Sequence, residues 1–153
     1  MDNMLDELTV HAEEIRSHGP DRPVAVTASW SSQALEATAA VLSEQLARLR
    51  VAAAEDADQV LVLRQHASLA DQFAEHSLAG AHALLTFDDC ELAVCAAALN
   101  DYLLRVDGDD AGYQPAERRE QLHTVRLVHT SLREIISEAR AAAGAHRAHT
   151  ALC

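Results

Sequence analysis

The sequence contains no lysine. All twelve of its basic residues are arginine, set against twenty-four acids, for a formal charge of −12. That balance disfavours nonspecific attraction of the whole surface to nucleic acid or to an anionic membrane, because both are polyanions. Aromatics are as scarce: Trp30, Phe73, Phe87, Tyr102 and Tyr113 are all there are. With alanine and leucine supplying the apolar content and few β-branched runs, close-packed helices are favoured over a sandwich or barrel. No long apolar run occurs. The longest, Leu92–Leu99, spans eight residues, far short of the ~20 that cross a bilayer. The acidic N-terminus lacks the apolar segment of a secretory signal. An odd count of three cysteines reads as reduced thiols in a cytosol. The expectation is a cytoplasmic chain, and the arginine-only, acidic composition suits a GC-rich or halophilic source.

Several catalytic signatures are missing too. No nucleophile elbow, P-loop, dinucleotide fingerprint or H-E-x-x-H occurs. Cys90 and Cys95 are five apart, on different faces of any helix, and lack C-x-x-C spacing. Asp107, Asp109 and Gly112 match positions one, three and six of a helix-loop-helix calcium loop. Ala111, Pro115 and Arg118 then occupy positions five, nine and twelve, and an arginine cannot replace the closing glutamate. Glu120 and His123 form a single E-x-x-H pair, where a carboxylate-bridged di-iron bundle needs two pairs and two further glutamates. His11 and His18 share a helical face without a carboxylate to complete a site. The sequence leans away from an enzyme and implies neither cofactor nor metal.

What is present is helical periodicity. Between Pro115 and Gly144 no glycine or proline intervenes, and Leu122, Val125, His129, Leu132, Ile136, Ala139 and Ala143 recur in steps of three and four. Val128, Ile135 and Ala142 widen the stripe. Arg119, Arg126, Arg133, Arg140 and Arg147 fall seven apart beside it, at positions that flank a helix–helix contact and select the partner. At 1.5 Å per residue this helix is roughly 45 Å long. His129 is the polar member of the seam. Its protonation near pH 6 is expected to weaken packing if no acid faces it.

Charge is also uneven along the chain. Residues 1–110 hold twenty acids and six arginines, net −14, whereas residues 111–153 hold four acids and six arginines, net +2.

Earlier segments follow the same logic. Leu5, Leu8, Ala12 and Ile15 predict a first helix over 2–17, stopped by Gly19-Pro20. Residues 24–29 alternate as a strand would. A lone strand leaves its backbone unpaired, so an extended linker anchored by Trp30 is the first choice, with Val60–Leu63 or a second subunit as partner otherwise. Ser31 or Ser32 caps the next helix, with Leu35, Ala39, Leu42, Leu46, Leu49 and Ala53 on one face. Asp56–Gln59 reads as a capping box, yet the heptad phase continues through Val60, Leu63, Ala67, Ala70 and Ala74. A hairpin and one helix of nearly fifty residues both stay open over 32–79. Residues 81–86 read as a crossing segment. Asp88 with Glu91 forms a capping box, and Leu92, Cys95, Leu99, Tyr102 and Val106 make the stripe of the helix that follows.

The resulting expectation is an all-α bundle of four to five amphipathic helices in one domain, 1–145, with a frayed tail at 146–153 and one short strand near 24–29 as the exception. Functionally it predicts a non-enzymatic adaptor or regulatory subunit, self-associating as a dimer or joining a helical protein through Leu122, Val125, His129, Leu132, Ile136 and Ala139. The alternative is a nucleic-acid-associated regulator using Arg119, Arg126, Arg133 and Arg140.

Overall fold

The computed structural model describes residues 10–17, 22–55, 59–79, 82–108 and 116–152. In chain order the elements are β1 Val10–Arg16, β2 Ala25–Trp30, α1 Ser32–Glu55, α2 Gln59–Leu78, β3 Ala83–Asp88, α3 Asp89–Gly108 and α4 Ala116–Leu152. The strands form one antiparallel sheet in the order β1-β2-β3, with its inner face against the helices. The all-α expectation is therefore corrected: the chain is a mixed α/β fold of four helices and three short strands among the described residues.

The reasons lie in β1 and β3. In β1, Val10 pairs with Trp30, Ala12 with Ala28, and Ile15 with Val26, with a bulge between Ala12 and Glu14. One extra residue turns an inward spacing of two into three. Ala12 and Ile15 thus share a face in a strand as they would in a helix, and the first helix predicted over 2–17 is a strand where it is described. Residues 1–9 and His18 lie outside the described residues. The alternation in β2 is real, with Val26, Ala28 and Trp30 buried, and the extended-linker choice gives way to a central strand. Its partners are β1 and residues 83–88, not Val60–Leu63.

Between β2 and β3 the chain makes a helical hairpin. α1 ends at Glu55, α2 begins at Gln59, and the two pack side by side. Of the two readings of 32–79, the hairpin holds and the single long helix does not; residues 56–58 of the expected capping box lie outside the described residues. Ser31 Oγ accepts from the Ala34 N–H at 3.0 Å, which fixes the start of α1. At the base of the hairpin Phe73 meets Trp30 edge-on at 4.8 Å and stacks on Phe87 at 5.4 Å. This trio ties α2, β2 and β3 together, each close aromatic pair adding roughly 0.5–1.5 kcal/mol beyond burial. Farther out along the hairpin, Val51 and Leu61 are exposed.

α4 lies against α3, α1 and β1. Its stripe fills the core: Leu122, Val125, Val128, Leu132, Ile135, Ile136, Ala139 and Ala143 are buried, while His129 is half-buried. Arg105 of α3 reaches Glu44 of α1 at 2.9 Å and Asp101 of its own helix at 3.2 Å. Such partly exposed pairs are worth under ~1 kcal/mol each.

Candidate functional site

The seam of α4 is occupied by the chain itself. Leu122, Val125, Leu132, Ile136 and Ala139 all belong to the single apolar core, so what this helix offers another molecule is its outer side. There Arg119, Arg126, Arg133 and Arg140 are all exposed. Seven residues fall about 20° short of two full turns, so the row drifts slowly around the helix and spans roughly 31 Å. Glu120, Glu134 and Glu138 are exposed on the same helix.

Beside the row, α3 and α4 diverge enough to leave two adjoining hollows. One, of about 300 Å³, is bounded by Ala96, Ala97 and Asn100 of α3 and by His129 and Arg133 of α4. The next, of about 370 Å³, is bounded by Ala93, Ala96, Arg133, Ile136, Ser137 and Arg140. Alanines with Asn100 on α3 form one wall, and His129, Arg133, Ile136, Ser137 and Arg140 of α4 form the other. Burial, and then the nearby Arg133 guanidinium, hold the His129 imidazole below its usual range, so it is neutral at pH 7. Sequence inspection found the arginines and His129 but missed the alanine wall. Its signal was there in the spacing of Ala93, Ala96 and Ala97, which places small residues on one helical face.

At the lower end of this groove α3 begins. The predicted capping box is present: the Asp88 N–H donates to Glu91 Oε1 at 3.0 Å, and the Glu91 N–H donates to Asp88 Oδ1 at 2.7 Å. Asp89 does a separate job that the sequence did not reveal. Its Oδ1 accepts from the Val24 N–H at 2.9 Å, its own N–H donates to the Val24 carbonyl at 2.9 Å, and Arg140 lies 3.8 Å away. Asp88, Asp89 and Cys90 bring three potential ligand atoms within 4.8 Å of one another. Both carboxylates already hold backbone N–H groups, and the neighbouring charge on the cluster belongs to an arginine. Burial, with Asp89 and Asp88 adding repulsion, pushes the Cys90 thiol above its ordinary pKa. Cys95 is buried and pushed up to about 12. Neither is an activated nucleophile.

A third hollow, about 620 Å³ and open, lies between the N-terminal turns of α1 and α4, lined by Gln33, Glu36, Ala37, Glu120, Gln121, His123 and Thr124. Here the E-x-x-H pair meets a further glutamate, but Glu36, Glu120 and His123 are all exposed and do not converge to ligating distance. Residues 109–115 of the calcium-like run lie outside the described residues; Gly108 ends α3 and Ala116 begins α4. No helix among the described residues is long and apolar enough to cross a membrane. No family model, curated protein or solved structure matches the chain.

Proposed function

We propose that the chain is a non-enzymatic interaction module, an adaptor or regulatory subunit, that docks an acidic helical segment of a protein partner along the outer side of α4. The observation that supports this reading is the line of exposed arginines bordering the alanine-walled groove, with Arg133 bounding both hollows and Arg140 the second. Small side chains allow a partner helix to approach closely, and the flanking guanidinium groups select carboxylates. The nucleic-acid alternative is less well supported, because no aromatic side chain interleaves the row for base stacking.

Fluorescence anisotropy with two labelled probes tests the reading. One is a Glu-rich amphipathic peptide of about 20 residues, matching the length of the row; the other is a DNA duplex of similar length. The peptide should bind and should release as salt rises. Arg133→Glu with Arg140→Glu should weaken it about tenfold or more, since two reversed surface pairs amount to roughly 1.4 kcal/mol. Preference for the duplex, with a steep salt slope, would favour the alternative. Peptide binding that ignores both substitutions would end the proposal.

A further inference from the structure

The two edges of the sheet are unlike. β1 carries a bulge and the charged residues Glu13, Glu14 and Arg16, and α4 lies against it. These are the devices by which natural sheets discourage edge pairing. β3 has fewer of them. Its one charged residue, Asp88, ends the strand with its N–H and Oδ1 engaged in the α3 cap, residues 83–87 contain no charge, proline or glycine, its register with β2 is unbroken, and Leu84 is 63% exposed.

The unused hydrogen-bonding groups of β3 can be assigned. The Asp89 N–H donates to the Val24 carbonyl, extending the β2–β3 ladder by one pair. Antiparallel ladders alternate. Phe87, Leu85 and Ala83 therefore bond to β2, while Leu84, Thr86 and Asp88 turn their N–H and C=O groups outward. The Asp88 N–H is taken by Glu91. Leu84 and Thr86 remain, and among the described residues no other strand or backbone bond reaches them.

We propose that this edge pairs with the same edge of a second copy, antiparallel about a two-fold axis at Leu85, to give a continuous six-stranded sheet. The spacing of the free groups selects this partner. A two-fold at Leu85 sets Leu84 opposite Thr86 of the other copy and Thr86 opposite its Leu84, which satisfies the N–H and C=O of both residues on each chain. The same register sets exposed His82 opposite Asp88, whose Oδ1 serves the cap. Directly opposed side chains in such pairs lie about 5 Å apart, so imidazole and carboxylate come within pairing range twice per dimer. Leu84 and Thr86 meet on the outer face, where Thr86 already bonds Thr27 at 2.9 Å. An unrelated strand would satisfy the backbone but not both side-chain matches.

Sedimentation equilibrium on the full chain, over about 1 to 200 μM, reads the proposal, with dimer expected within that range; weak interfaces of this size sit at micromolar affinity. Thr86→Pro removes an outward N–H and the exposed hydroxyl bond to Thr27 but leaves the backbone bonds to β2, at an edge position where proline is tolerated; Thr86→Val, which loses only the hydroxyl bond, is its control. The proline variant should weaken dimerisation about tenfold or more and leave the far-UV spectrum unchanged. Leu84→Lys serves the same end if the proline variant fails to fold. His82→Glu places carboxylate against carboxylate and should also weaken the dimer, which tests the register. Salt should strengthen self-pairing, because each copy carries −12 and the repulsion is screened. Docking of an acidic peptide on α4 moves the opposite way with salt, so the two readings stand or fall separately. A monomer throughout the range overturns the proposal, as does a dimer indifferent to Thr86→Pro and Leu84→Lys. A dimer sensitive to those two but not to His82→Glu would overturn the Leu85-centred register.

Discussion

Replacing Leu132 with alanine distinguishes a seam buried within one chain from a seam shared between chains. Leu132 is fully buried, at 0% exposure, in the middle of α4. Truncating such a leucine removes its transfer energy and leaves a cavity, together about 2–5 kcal/mol. Domains of this size are stable by roughly 5–15 kcal/mol, so the loss is a large fraction of the total. At about 2–4 °C per kcal/mol for a chain of this length, the melting temperature should fall by roughly 4–20 °C. Arg133→Ala, one residue away but exposed, should change stability by less than ~0.5 kcal/mol. Urea unfolding followed through Trp30, the sole tryptophan and fully buried, gives the free energies. If the seam is internal, the difference between wild type and Leu132→Ala is the same at low and high protein concentration, whatever other association occurs. A loss below ~1 kcal/mol, or one that vanishes on dilution, would refute the intramolecular packing.

Three further outcomes follow from particular side chains. His129 titrates below its unfolded value because burial and Arg133 disfavour its charged form. As pH falls through about 6.5, the unfolded chain takes up the proton first, so the stability that His129 contributes declines there and levels off below its folded pKa. His129→Gln should flatten that part of the stability profile between pH 7.5 and 5, and an unaltered profile would show that the site is not desolvated. In a Cys153→Ser background, thiol titration should count one accessible cysteine, Cys90, before denaturant is added. Cys95, buried with its pKa near 12, should react only on unfolding. Asp89→Ala should cost about 1–3 kcal/mol, because the Val24 N–H at the entry to β2 would lose its carboxylate acceptor. Asp89→Asn keeps an oxygen there and should recover most of the loss in the same urea assay.

Local chemistry and period alone determined much of this molecule. The α4 stripe and the Asp88–Glu91 capping box depend on residues within a turn or two of each other, and they could be read from spacing. The choice between a hairpin and one long helix over 32–79, and the burial of Trp30 against Phe73 and Phe87, could not. The arginine row was legible, because one helix carries it. The sheet was not. Its strands are six or seven residues long, β2 is largely alanine, serine and threonine, and β1 is bulged into a helical spacing. Whether β2 is a strand depends on partners about fifteen residues before it and nearly sixty after it, and pairing over such distances leaves no local trace. The alanine wall and His129 likewise meet only because α3 and α4 pack together. Tertiary structure also decided which side of α4 faces outward, since a stripe that can bury against any apolar surface was buried against the chain's own α1, α3 and β1.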